Sequence, residues 1–282
     1  MIDTTFLDQL KRFSLIINKR VTSSYSGEKK SVAEGRGLIF KDHRMYARGD
    51  DIRLIDWKVF ARTDDLYVKR YEEERNLSVH ILIDGSASMN YGKGLKKFDY
   101  ASMIGVGFAY LALRDNEKFQ FCTFSDSLEL FKPKRGMNQL AGMVMHLNNT
   151  KKEGNSKIYE AVAKYKKVIG SRSLIILISD FLINIDEIKA ALYRLGDHEI
   201  KVIQVLDPVE SDLTLEGDLK LMDSETKELL KTHISPRLRM EYQSKLNRHM
   251  NEISDTCNKL GIDFYSITTN TPIFDAFYKI LR

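Results

Sequence analysis

Two stretches restrict this chain's fold more than any others. LSVHILI at 77–83 and SLIILIS at 173–179 are apolar and rich in β-branched residues, and each runs into an aspartate, Asp84 and Asp180. A strand with one wet face alternates apolar and polar side chains, whereas these runs have no polar face and need cover on both sides. The intervening sequence supplies the cover. Residues 98–113 are apolar nearly all round (Phe98, Met103, Ile104, Val106, Phe108, Leu111, Leu113), with Gly105 and Gly107 placed to let a helix lie close to a sheet. Further helices are expected at about 137–147, 157–169 and 185–196, and IFDAFYKIL reads as a closing helix. KFQFCTF at 118–124, IKVIQVL at 200–206 and IDFYSIT at 262–268 read as further strands, with LELFK at 128–132 as the hairpin mate of the first. Strands alternating with helices in this way predict an α/β fold, a doubly wound, mainly parallel sheet flanked by helices.

Two regions leave that rhythm. Residues 1–76 read as an N-terminal segment docking on the core at 77–282, beginning with an amphipathic helix (Phe6, Leu7, Leu10, Phe13). At about 208–260 the sequence predicts an insertion: GDLKLMDSETKELLKTH reads as a β-hairpin with a Ser-Glu-Thr turn, and a long polar helix follows Pro236 up to Gly261.

Composition works by exclusion. With 282 residues, 43% hydrophobic and 29% charged, the chain can bury a sizeable core. Its longest apolar run, GVGFAYLAL at 105–113, falls well short of the roughly 18 residues that span a bilayer. The first twenty residues mix acids and bases and lack the pattern of a signal peptide, so the expected location is cytoplasmic, with no membrane span. Cys122 and Cys257 have no metal-type spacing and read as reduced, buried residues. The net charge of +5 comes from dispersed doublets such as Lys96-Lys97, so no nucleic-acid partner is expected. The six histidines are scattered, and none is read as a metal ligand.

In a doubly wound sheet, ligands gather beyond the carboxyl ends of the strands. Asp84 and Asp180 both stand at such ends. ILIDGSASM at 81–89 adds hydroxyls at alternate positions, Ser86 and Ser88, and GNSK at 154–157 offers Ser156. Carboxylates and hydroxyls without His or Cys form a donor set for a hard cation, Mg²⁺ (or Mn²⁺ or Ca²⁺), with a coordination position left for another protein's carboxylate. The plainer reading is a strand-to-helix turn with helix-capping serines. Ser156 reads equally as an N-cap, with Asn155 able to take its place.

These residues resemble the metal-ion-dependent adhesion site of the von Willebrand factor A domain. Its pattern is D-x-S-x-S, then a threonine, then an aspartate after a central strand; here Asp84, Ser86, Ser88, Ser156 in the threonine's place, and Asp180. The stretch MYARGDDIRLIDWKVFARTDDLYVKRYEEER at 45–75 resembles the signature preceding the A domain in the DUF58 family. The resemblance implies a non-enzymatic, metal-dependent protein-interaction module. Asp84, Ser86 and Ser88 would hold the ion, with Asp180 acting through water. It further implies work with a MoxR-type AAA+ ATPase in the assembly or maturation of another complex, and a partner that supplies an acidic residue. Within GDDIRLIDW, Asp50, Asp51, Arg53 and Asp56, together with Arg62, read as an ion-pair network docking the N-terminal segment, with Trp57 as an anchor, the alternative being a partner-binding surface.

Other functions fit less well. A Mg²⁺-dependent phosphotransferase would use Asp84 as nucleophile, but it needs an acid two residues on, where Ser86 stands. A serine hydrolase needs G-x-S-x-G, which neither Ser86 nor Ser88 has. A structural subunit with a vacant site is the third alternative.

Overall fold

The computed structural model describes residues 6, 7, 10, 20–21, 38–74, 78–92, 94–131, 136–170, 172–196, 198–215, 217–224 and 228–281. They fall into two units, Ile16–Leu77 and Met1–Leu15 with Ser78–Arg282.

In the smaller unit, β1 (Arg20–Val21), β2 (Leu38–Met45) and β3 (Tyr67–Glu74) form an antiparallel sheet in the order β1-β3-β2. A 3-10 turn (Ile52–Leu54) and α1 (Trp57–Thr63) lie between β2 and β3, and aspartates begin both. Asp51 accepts the Arg53 N–H at 3.0 Å, and Asp56 accepts those of Lys58 at 3.0 Å and Val59 at 3.4 Å. Asp56 also meets His43 Nε2 at 2.9 Å and Lys69 Nζ at 3.4 Å. The His43 hydrogen bond leads the influences that hold its carboxyl down at about 2. Asp50 pairs with Arg44 at 2.7 Å, and Arg62 Nε donates to the Lys58 carbonyl at 3.3 Å. The expected network of Asp50, Asp51, Arg53, Asp56 and Arg62 is therefore corrected. The cations on the aspartates come from β2 and β3, and two of the aspartates serve as helix caps. Trp57, expected as an anchor, is 57% exposed and packs edge-on against Phe60.

The larger unit runs β4 (Ser78–Asp84), α2 (Lys97–Arg114), β5 (Lys118–Phe124), β6 (Leu128–Leu130), α3 (Met137–Asn149), α4 (Ile158–Tyr165), β7 (Leu174–Ser179), α5 (Ile185–Leu195), β8 (Glu199–Leu206) and α6 (Pro208–Asp212). It continues with β9 (Gly217–Met222), β10 (Leu229–Ile234), α7 (Pro236–Leu260), β11 (Asp263–Thr268) and α8 (Ile273–Leu281). The main sheet has the order β11-β8-β7-β4-β5-β6, with β6 antiparallel to β5 and the other neighbours parallel. This is the doubly wound α/β fold that the apolar strands demand. From β4 the chain moves to β5 on one side, then returns to β7 on the other, so the order reverses between β4 and β7. That reversal is where such sheets open a crevice.

Each strand divides its side chains between two covered faces. Leu82, Ile175 and Leu177 pack with Val162 and Tyr165 of α4, Leu192 of α5 and Ile253 of α7. Ile81 and Ile83 point the other way, towards α2. A Cβ on Gly105 would stand 2.7 Å from Ile83 Cδ1, so this glycine does set the close approach of helix to sheet. Gly107 has a different role from the one expected: it faces Phe277 of α8 and Leu10. Of the predicted N-terminal helix, Phe6, Leu7 and Leu10 lie in short 3-10 turns, with Phe6 stacked on Phe277, and Phe13 lies outside the described residues. β9 and β10 pair as the expected hairpin; Ser224 begins its turn, and Glu225 and Thr226 lie outside the described residues. Cys122 and Cys257 are free and buried.

Two stability outcomes follow. An added methyl at Gly107 would fall on the Phe277 ring. Gly107→Ala should lower the urea-unfolding free energy by roughly 1–3 kcal/mol, with part of the loss recovered by Phe277→Leu. His80, buried in β4, meets Tyr165 Oη at 2.8 Å, and burial, with a smaller push from His198, depresses its pKa from 6.5 to about 4. The stability tied to neutral His80 is complete above pH 6.5 and disappears as the pH falls towards 4. Unfolding free energy at pH 4.5 should lie roughly 2 kcal/mol below that at pH 7.5 on this account, and His80→Gln should flatten the difference.

Candidate metal centre

β4 ends in Asp84, and the next residues turn tightly because the carboxylate captures its own chain: the Ser86 N–H donates to Asp84 Oδ1 at 2.9 Å. A 3-10 helix, Ala87–Asn90, follows. Ser86 holds the position that would cap it, but its hydroxyl makes no cap bond; it lies 3.1 Å from Ser88 Oγ. The capping reading of these serines is thereby set aside. The Ala87 N–H donates to the Gly154 carbonyl at 2.9 Å, tying this loop to the one that carries Ser156.

Ser156 is buried and its hydroxyl donates to Asp84 Oδ2 at 2.6 Å. Lys157, not Ser156, holds the N-cap position of α4, and Asn155 is exposed. One step beyond the Ile83–Ile178 pair of β4 and β7 come Asp84 and Ser179, and the Ser179 hydroxyl donates to Asp84 Oδ2 at 2.7 Å. Ser179 also accepts the Phe181 N–H at 3.0 Å. Phe181 is buried with a positive φ of 51°, a strained conformation for a bulky residue, and its carbonyl lies 2.6 Å from His249 Nε2 of α7.

Asp180 lies beside this cluster and is held differently. Its Oδ1 accepts the Leu182 N–H at 3.2 Å, and its Oδ2 takes Lys97 Nζ at 2.8 Å. Lys97 opens α2 and is fully buried; its ammonium also reaches Glu210 Oε1 of α6 at 2.6 Å. Burial works to discharge Lys97, but the charges of Asp180 and Glu210 outweigh it, and its pKa is raised. Asp84 has no such help. Its partners are two hydroxyls and a backbone N–H, all neutral; burial first, then the charge of Asp180, pushes its carboxyl up against those hydrogen bonds.

The structure thus brings Asp84, Ser86, Ser88, Ser156 and Asp180 to one strand edge. Sequence reasoning missed Ser179 and Lys97. Lys97 had a signal: with Ala101, Ile104 and Phe108 it keeps the spacing of the buried face of α2. Asp84 is a wholly buried carboxylate, bonded to two hydroxyls, and among the described residues it has no cationic partner. That chemistry fits a hard cation such as Mg²⁺, with Asp84, Ser86, Ser88 and Ser156 as the groups able to hold it. Among the described residues, no group of three or more His, Cys, Asp or Glu side chains is placed to hold a metal ion, so any such ion would draw on the hydroxyls.

Asp84 should cost stability in the apo protein. Its raised pKa means that stability declines as the pH climbs from 3.8 through the folded value. In chelator, Asp84→Asn should therefore melt a few degrees above the wild type, with a lead that widens from acid to neutral pH. A lower melting temperature for the variant at neutral pH would contradict this electrostatic account.

Among the described residues, no helix is long and apolar enough to cross a membrane. Among solved structures, BatB from Bacteroides thetaiotaomicron is similar at 15% identity and a TM-score of 0.44, over 72% of this chain and 96% of that one. The VWA domain of SpRpn10 is similar at 13% identity and a TM-score of 0.46, over 72% and 94%. Two relatives, the uncharacterized proteins Rv1480 of Mycobacterium tuberculosis and Mb1516 of Mycobacterium bovis, are each 24% identical over 266 residues, covering 93% of this chain and 84% of theirs. The sequence profile described as "Protein of unknown function DUF58" matches residues 42–252, most of the chain's length, and the chain belongs to that family.

Proposed function

We propose that this protein is a non-enzymatic protein-interaction module whose binding depends on a divalent cation at the Asp84 edge of the sheet. One observation carries the reading: Asp84 is buried at the switch point, and among the described residues its partners are neutral, the hydroxyls of Ser156 and Ser179 and the Ser86 N–H. Bound there, Mg²⁺ (or Mn²⁺ or Ca²⁺) would supply the missing positive charge and an open coordination position for a partner's carboxylate. Asp84 gives the charge that retains the ion, and Ser86, Ser88 and Ser156 give neutral oxygens. Ser156 and Ser179 fix the carboxylate's orientation, and the Ser86 N–H holds its other oxygen. Asp180 completes the edge. The pattern's resemblance to the adhesion site of von Willebrand factor A domains supports the same reading.

The partner should present an acidic side chain. The family resemblance favours a MoxR-type AAA+ ATPase, with a role in assembling or maturing another complex in the cytoplasm. A phosphotransferase is the weaker reading. Ser86 stands where a general acid would be required.

Titration calorimetry with Mn²⁺ tests the proposal. The wild type should bind, Asp84→Ala should show no heat, and Ser86→Ala or Ser88→Ala should weaken affinity by roughly tenfold or more. A native-lysate pull-down should lose its specific partner in EDTA. Equal Mn²⁺ affinity in wild type and Asp84→Ala would end the reading, and aryl-phosphate turnover abolished by Asp84→Asn would replace it with the enzymatic one.

A further inference from the structure

We infer that Lys97 sets the specificity of this site: it is a tethered cation that occupies Asp180, leaving Asp84 as the one carboxylate offered to the metal. The inference deepens the cation reading above and rests on it.

The two aspartates stand side by side at the ends of β4 and β7 but have opposite surroundings. Both carboxylate oxygens of Asp180 are committed, one to the Leu182 N–H and the other to the Lys97 ammonium at 2.8 Å. Lys97 is itself clamped. Its second partner, Glu210 Oε1, lies 2.6 Å away, and the other carboxylate oxygen of Glu210 accepts the Asp207 N–H at 3.0 Å. The Tyr242 hydroxyl holds the Glu210 backbone carbonyl at 2.7 Å. To reach a metal directly, Asp180 would have to give up its bond to a buried ammonium, which would lose one of that ammonium's two carboxylate partners.

The placement of Lys97 is costly on two counts. A cation in the first turn of a helix opposes the helix dipole, and a buried ammonium gives up its hydration. Both costs are offset at one place, the Asp180–Lys97–Glu210 bridge. A salt bridge serving stability alone could lie anywhere on α2; this one lies on the carboxylate beside Asp84 and offsets part of its charge.

The consequence concerns the ligand. A divalent ion that met two free carboxylates would be neutralised and would attract a third one weakly. With Asp180 held by Lys97, an ion on Asp84 has one carboxylate bound directly to it, and that ion–carboxylate pair keeps one positive charge, which favours an acidic side chain from a partner over water. Lys97 thereby exchanges metal affinity for attraction towards an acidic ligand.

The test is a Mn²⁺ titration cycle on the full chain, with cooperative melting as the check on folding. Asp180→Asn should change the Mn²⁺ dissociation constant by less than about threefold, since Asp180 is spoken for by Lys97. Lys97→Met should tighten Mn²⁺ binding on the order of tenfold by releasing the second carboxylate, and the double variant should return close to the wild type. Weakening of tenfold or more in Asp180→Asn, or a folded Lys97→Met protein that binds no more tightly than wild type, overturns the inference and leaves the cation reading standing. If Lys97→Met does not fold, Asp180→Asn alone decides, because that variant keeps the Lys97–Glu210 pair. Absence of Mn²⁺ binding in the wild type defeats both.

Discussion

The structure turns on two carboxylates buried beside each other at the end of an apolar sheet. Bringing one ionised carboxylate out of water is expensive, and bringing two together adds repulsion. The chain answers in two ways. Asp180 shares the Lys97 ammonium with Glu210, which needs α2 to begin with a lysine and α6 to bring up the glutamate. Asp84 receives hydrogen bonds only, which need hydroxyls at Ser156 and Ser179 and a turn that aims the Ser86 N–H back at the carboxylate. The identities of residues on five separate elements and loops are thus answers to one electrostatic problem.

That problem explains which parts of the molecule could be read beforehand. Strands without a polar face announce cover on both sides, so the doubly wound sheet was legible in LSVHILI and SLIILIS. The strand-end aspartates and the alternating serines were legible for the same reason: polar groups at the end of an apolar run have few places to go. Lys97 was passed over despite its place on the buried spacing of α2, because a lysine at a helix start ordinarily reads as solvated, and its partners lie 83 and 113 residues away in sequence. Ser179 looked like the last residue of a strand until the register of β7 against β4 set it beside Asp84. Gly107 was assigned to the wrong neighbour because helix periodicity shows which residues share a face, not which element covers it. The charged run at 50–62 misled in another way. Charges in sequence do not name their partners, and Asp51 and Asp56 each spend one oxygen on backbone N–H groups that any helix start leaves unpaired.

A turn built only to carry the chain from β4 into α2 would need none of this. An asparagine or serine at position 84 could accept the Ser86 N–H and cap the turn without a buried charge. Around Asp84 several local rules are broken together: a carboxylate with its pKa forced up, a bulky residue in left-handed backbone at Phe181, and a lysine buried at the wrong end of a helix. Conflicts of this kind are the mark of a site kept for its chemistry, since selection for stability alone removes them. Most of the fold is locally consistent; the conflicts crowd around the sheet's switch point. That concentration supports the proposal that the Asp84 edge is the functional centre, on physical grounds independent of any family resemblance.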